Sequence, residues 1–271
     1  MELEYGAHSD TGCVRENNED SYRAAPELNL FVLSDGMGGL DCGEVASRMA
    51  VETIFEHCQK ANADPSLPFA GFRVDGVSEM TNRLASAVRI ANRAVHSAAH
   101  DSVTDRPMGA TVVAVRLADE RMSVAHVGDS RVYRLRGDDF AQLTHDHSFV
   151  AEQIRHGRMT QQEADSSRLH NVLIRALGVD AEVEVDASDE LVLDGDTVLL
   201  CSDGLTRELS DTQIAAVLRE IDDPQEAAER LIDLAKQAGG GDNITAIVVR
   251  PAARPVGALG RISRLGKWFK D

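Results

Sequence analysis

Five short acid-bearing motifs follow one another along the chain, each at the end of an apolar run or in a tight turn. They are Arg15-Glu16-Asn17-Asn18-Glu19-Asp20, Ser34-Asp35-Gly36-Met37-Gly38-Gly39, Gly128-Asp129-Ser130-Arg131, Ser202-Asp203-Gly204 and Gly241-Asp242-Asn243. Leu30-Phe31-Val32-Leu33 leads into the second, and Val198-Leu199-Leu200-Cys201 into the fourth. A carboxylate at the mouth of a buried strand is costly unless something neutralises it. Several gathered together are costlier, because like charges raise one another's pKa. A site for hard divalent cations, which prefer oxygen ligands, resolves both costs. Gly36, Gly38 and Gly39 let the backbone turn sharply after its strand without a Cβ clash. One Asp-Gly pair alone marks a turn; five acid motifs in series ask for more. The chain has no Gly-x-x-x-x-Gly-Lys-Ser/Thr loop, so nucleotide binding finds no support.

The elements that must position these acids can be read from periodicity. Short opening strands are expected at Tyr5 to His8 and around Ser21 to Arg23, then an apolar strand at Leu30 to Ser34. Gly43 to Gln59 and Val77 to His100 carry apolar residues at helical spacing. Between them lies a loop containing Pro65 and Pro68. Strands are predicted at Thr111 to Leu117, Met122 to Val127, Val132 to Leu135, Val183 to Val185, Thr197 to Cys201 and Ile244 to Val249. Short helices are expected over Phe149 to His156 and Thr160 to Asp165, the second opened by a Thr160/Glu163 capping box. Helices at Asp211 to Glu220 and Pro224 to Gln237 follow, with Asp223 capping the latter. This order suits two stacked sheets with helices outside.

With 271 residues, 43% of them apolar, the chain can bury a large core as one large domain or two small ones. There is no apolar run of about 18 residues and no charged-then-apolar leader, and a cytoplasmic protein is expected. Cys13, Cys42, Cys58 and Cys201 are dispersed and read as ordinary reduced thiols. A net charge of −17 argues against nucleic-acid binding, yet not against a phosphorylated substrate, because bound cations would dominate the local field. Residues 251–271 read as a separate basic tail, with Arg254, Arg261, Arg264, Lys267 and Lys270 against Asp271. Ile262, Leu265, Trp268 and Phe269 could share one face of a short helix there. That tail is a solvated extension, a helix packed on the acidic body, or a docking segment for an acidic partner or an anionic membrane surface.

From about Tyr5 to Arg250, the motif set and its order resemble the metal-dependent protein serine/threonine phosphatases of the PP2C (PPM) family, in its compact bacterial branch. Met108-Gly109-Ala110-Thr111, Thr144-His145-Asp146-His147-Ser148 and Asn171-Val172-Leu173-Ile174-Arg175-Ala176-Leu177-Gly178 carry the likeness between the acid motifs. The resemblance implies an α+β fold over residues 1–250, an α-β-β-α sandwich of two mainly antiparallel sheets flanked by helices. It implies hydrolysis of phosphoserine and phosphothreonine by direct attack of a metal-bridging hydroxide, with two Mn²⁺ or Mg²⁺ ions and a third, weaker one.

By the same resemblance Asp35 bridges the metals, the Gly36 carbonyl ligates one, and Asp203 and Asp242 hold the other. Arg15 clamps the phosphate, and Glu19 and Asp20 orient metal-bound water. Asp129 is either a hairpin-turn residue or a ligand of the third ion, with Asn171 as its partner. Residues 148–168 correspond to a flap over the site. The expected partners are phosphorylated proteins, among them a Ser/Thr kinase or its substrates, and the expected state is a monomer. A regulatory phosphatase acting on a phosphorylated anti-sigma-factor antagonist would use the same residues; an inactive relative that binds phosphoproteins or senses metal is the other alternative, and the intact Asp35, Asp203, Asp242 and Arg15 argue against it. One position departs from the family: where many members carry a histidine able to protonate the leaving oxygen, this chain has Met37. His126, His145 and His147 are the histidines nearest in motif terms.

Overall fold

The structure is a computed structural model that describes residues 2–38, 42–101, 108–169 and 171–252. One five-stranded sheet has the order β1 (Glu2–Asp10), β11 (Ile244–Ala252), β10 (Thr197–Cys201), β7 (Arg131–Arg136) and β8 (Asp139–Gln142). The second runs β2 (Asp20–Ala25), β3 (Leu30–Met37), β5 (Val112–Ala118), β6 (Arg121–Val127) and β9 (Asp186–Leu191), with β4 (Gly109–Ala110) added beside β3. Every strand pair is antiparallel.

Both faces of the central strands are apolar, and period-two alternation divides them between different cores. Phe31, Leu33, Val113, Val115, Val198, Leu200, Ile247 and Val249 meet between the sheets. Leu30, Val32, Val112 and Ala114 face the long helices α1 (Cys42–Ala63) and α2 (Glu79–Asp101). On the opposite outer face, Leu199, Cys201, Ala246 and Val248 pack against α5 (Asp203–Glu208), α6 (Asp211–Glu220) and α7 (Pro224–Ala238). The expected α-β-β-α sandwich is the observed one.

Local chemistry sets the helix ends. Thr160 and Glu163 form the anticipated capping box at α4 (Gln161–Asp165), and the Asp223 side chain caps α7 ahead of Pro224. A second capping box joins Ser210 to Gln213 at the start of α6. The segment 148–168 folds as α3 (Phe149–Arg155) and α4 joined by a short connection, with Ser148 capping α3. One strand lies away from its predicted place. Val183 and Val185 pack on the helix-side core, while pairing with β6 begins at Asp186. The final strand continues to Ala252, paired with Glu2, and the amphipathic pattern from Ile262 to Phe269 lies outside the described residues.

Candidate metal and phosphate site

The inter-sheet stripe of β3 runs Phe31, Leu33 and then Asp35, so alternation carries Asp35 onto the face between the sheets, at their open edge. The register of β2 on β3 pairs Asp20 with Asp35. Two carboxylates directly opposite on neighbouring strands repel. Asp203 starts α5 just past β10, Asp242 precedes β11, and Asp129 joins β6 to β7. All five acids therefore gather at one end of the seam. The cavity there, about 250 Å³, is lined by Asp35, Asp129, Asp203 and Asp242 with Arg15, Glu19, Gly36, Met37, Thr111, Asn171, Leu173 and Arg207 among others. Asp20 lies beneath it and is not part of the lining.

The backbone is packed too closely at this edge for side chains at two positions. A Cβ on Gly36 would stand 2.1 Å from the Gly43 carbonyl oxygen, and one on Gly204 2.0 Å from that of Asn243. Both glycines let strand ends approach the next element and hold Asp35 and Asp203 at the cavity. The Asp35 carbonyl accepts from the Thr111 N–H at 2.8 Å, and the Asp35 N–H donates to Thr111 Oγ1 at 3.1 Å. Asn243 ties three loops together. Its Oδ1 accepts from the Glu19 N–H at 2.8 Å, and its Nδ2 donates to the carbonyls of Thr11 and Asn17 at 3.0 and 2.9 Å.

Electrostatics here are those of an under-neutralised acid cluster. Burial, then the charges of Asp20, Asp203, Asp129 and Asp242, push the Asp35 carboxyl well above its ordinary range. Burial raises Asp20 to about 7, even though Thr245 Oγ1 and Ser202 Oγ donate to its Oδ2 at 2.6 and 2.8 Å. Asp129 is raised to about 7 by burial, with Asp203 and Asp146 adding to it. Burial also raises Asp203, while Arg207 pulls it back.

Asp20 Oδ1 and Asp203 Oδ1 are buried with no hydrogen-bond partner among the described residues. Orphaned buried carboxylate oxygens are costly. Oxygen-only donors, several of them anionic, are what hard divalent cations such as Mg²⁺ and Mn²⁺ bind. The residues fit such a group: Asp35, Asp203 and Asp242 line one cavity and could hold it, and Asp129 and Asn171 line the same cavity.

Two arginines reach into the site. Arg15 Nη2 donates to Asp242 Oδ2 at 2.9 Å, and Arg207 Nη1 donates to the same oxygen at 3.1 Å. Arg207 also forms an ion pair with Asp203. Sequence reading missed Arg207, Thr111 and Asn243 as site residues. The available signal for Arg207 was its place one helical turn after Asp203.

None of the three motif histidines lines the cavity. His145 is exposed. His126 and His147 stack at 4.7 Å in the interior. Burial lowers His126 to about 4, while its Nε2 contacts the His145 carbonyl at 2.9 Å. His147 Nδ1 accepts from the Gly128 N–H at 3.1 Å and so holds the turn that carries Asp129. Its Nε2 lies 3.3 Å from Asp186, but Arg175 Nη1 reaches both groups, at 3.1 Å from that Nε2 and 2.6 Å from Asp186 Oδ1. A guanidinium already fills the position a cation would take there. His147→Ala is expected to cost ~1–3 kcal/mol of stability through the unpaired Gly128 N–H and to leave both limbs of the kcat–pH profile in place. A displaced limb would put His147 in the chemistry. Cys201, two residues before Asp203, is no nucleophile: burial raises its thiol to about 12.

Comparison with known proteins finds similar chains. Residues 8–237 match the family described as "Protein phosphatase 2C". The serine/threonine protein phosphatase PstP of Mycobacterium tuberculosis is 38% identical over 246 residues, 91% of this chain and 44% of that protein. This chain therefore spans under half of that relative's length. The serine/threonine phosphatase stp of Listeria innocua is 34% identical over 244 residues, 89% of this chain and 93% of that one. A crystal structure of the PstP catalytic domain in complex with two manganese ions superposes with a TM-score of 0.78 at 36% identity, covering 93% of this chain and 99% of that one.

Proposed function

The chain belongs to the protein phosphatase 2C family, and we propose that it hydrolyses phosphoserine and phosphothreonine in proteins with divalent metal ions. One observation carries this reading: four aspartates and Glu19 converge with Arg15 on one cavity, with Asp20 buried beside it, and two of the buried aspartate oxygens have no partner among the described residues. Asp35, the Gly36 carbonyl, Asp203 and Asp242 would hold the pair of ions, with Asp35 shared between them. Asp129, with Asn171, is assigned to a third, weaker ion. When bound, a pair of Mn²⁺ or Mg²⁺ ions would supply an acidified water and neutralise the phosphoryl oxygens. The PstP catalytic domain, similar over nearly its whole length, is described in complex with two manganese ions.

The chain's own residues do the rest. Arg15, half exposed and poised on Asp242, can turn its planar fork onto two phosphoryl oxygens. Glu19 lines the cavity wall, and Asp20 sits beneath with one oxygen anchored by Ser202 and Thr245. Both are assigned to orienting water and fixing the ligands. Met37 and Leu173 form apolar wall. Met37 has no proton to give and no histidine among the described residues lines the cavity, which supports water as the proton donor to the leaving oxygen. The related proteins are named serine/threonine phosphatases, and a Ser/Thr kinase or its substrates are the partners this reading assigns. No helix among the described residues is long and apolar enough to cross a membrane, and the cytoplasm is the assigned compartment.

Arg15→Ala tests the substrate side. Losing a charge-assisted pair worth ~1.5–3 kcal/mol should raise KM for a phosphothreonine peptide roughly 10- to 150-fold at saturating Mn²⁺. An unaltered KM would remove Arg15 from phosphate binding.

A further inference from the structure

We propose that Arg207 is a built-in counter-cation of the metal centre, competing with the divalent ion for Asp203 and Asp242 and so setting the metal concentration at which the site fills. This rests on the assignment of those two aspartates as cation ligands.

α5 is only six residues long and carries Asp203 and Arg207 one turn apart. The guanidinium spans two separate elements: it pairs with Asp203 Oδ2 on its own helix and donates to Asp242 Oδ2 at 3.1 Å, across the cavity edge. These carboxylates begin α5 and precede β11, and no other described side chain pairs with both. Arg207 also lines the cavity and is about one-third exposed, 34% at the side chain, so it can turn out to solvent without disturbing a core. Asp35 has no ion pair with it among the described contacts.

Two physical consequences follow. A lone pair engaged by a guanidinium N–H is unavailable to a metal until that hydrogen bond breaks. A fixed positive charge also opposes a second cation held by the same carboxylates. In the metal-free protein the same contacts offset part of the repulsion among the acids. Arg207 thus stabilises the empty site and weakens the filled one. Because it touches Asp203 and Asp242 and not Asp35, its effect should fall on one binding event more than on another.

Calorimetric titration of Mn²⁺ into metal-stripped protein, without substrate, tests this on wild type, Arg207→Gln and Arg207→Lys. Arg207→Gln should bind at least one Mn²⁺ about tenfold more tightly, the order expected for removing one unit charge beside a partly solvated cation. Its Tm in EDTA should fall below wild type and recover at saturating Mn²⁺. Arg207→Lys, which keeps the charge, should stay within about threefold of wild type. Equal or weaker Mn²⁺ binding in Arg207→Gln overturns the proposal, as does equal tightening in Arg207→Lys. Absence of Mn²⁺ binding in wild type would instead overturn the assignment of the aspartates as metal ligands.

Discussion

Asp35→Asn is expected to lower kcat on a phosphothreonine peptide by about 10³-fold or more, a loss of ~4 kcal/mol at ~1.4 kcal/mol per factor of ten. Asp35 stands where the inter-sheet stripe of β3 meets the cavity, and the charges of Asp20, Asp203, Asp129 and Asp242 all bear on it. An asparagine keeps the shape but loses the charge and one acceptor oxygen, so it cannot bridge two cations. The same change should act oppositely on stability. Removing one of several crowded carboxylates relieves repulsion, and the metal-free Asp35→Asn protein should melt higher than wild type, by ~2–4 °C for each kcal/mol relieved in a domain of this size. Lower activity with a lower Tm in EDTA would point to a damaged fold instead.

The metal-free protein should also be markedly more stable in mild acid than in mild base. Asp20 and Asp129 are raised from an ordinary 3.8 to about 7, and Asp35 and Asp203 are raised as well. A carboxyl whose pKa rises on folding binds protons more tightly in the native state. Its contribution is therefore fully present below the unfolded value and is lost as pH climbs through the folded one. The window for these groups runs from about pH 4 to somewhat above pH 7. Asp186 works the other way. The His147 and Arg175 side chains depress it, so its contribution fades only on acidification below the ordinary range. In EDTA, Tm at about pH 5.5 should therefore exceed Tm at about pH 8 by many degrees, on the order of several kcal/mol across the cluster. Saturating Mn²⁺ should remove most of the difference by replacing protons as the neutralising charge. A flat Tm in EDTA across that range would contradict the clustering.

Much of this was legible because the strongest sequence signals and the strongest structural constraints coincide. Runs such as Leu30 to Leu33 and Val198 to Cys201 are apolar on both faces, which marks central strands buried between layers. The capping box at Thr160 and the Asp223–Pro224 pair specify helix starts locally. Elements whose identity comes from their neighbours were not legible. β9, Asp186–Leu191, reads Asp-Ala-Ser-Asp-Glu-Leu with no apolar alternation and is a strand because it pairs with β6 at the sheet edge. α5 is too short for periodicity to show. The acids that gather at the cavity could be named from motifs, but Asp20 facing Asp35 follows from a register no motif encodes. Arg207 was hidden for a related reason. Its second partner, Asp242, is 35 residues away in sequence.

Phosphate release from a phosphothreonine peptide by metal-stripped wild-type protein, followed as Mn²⁺ is added, tests the central claim most directly. The structure predicts no turnover in EDTA and a rise to multiple turnovers as Mn²⁺ fills the carboxylate cavity. No turnover at any concentration of Mn²⁺ or Mg²⁺, with the protein folded, would contradict it and favour a phosphoprotein-binding module.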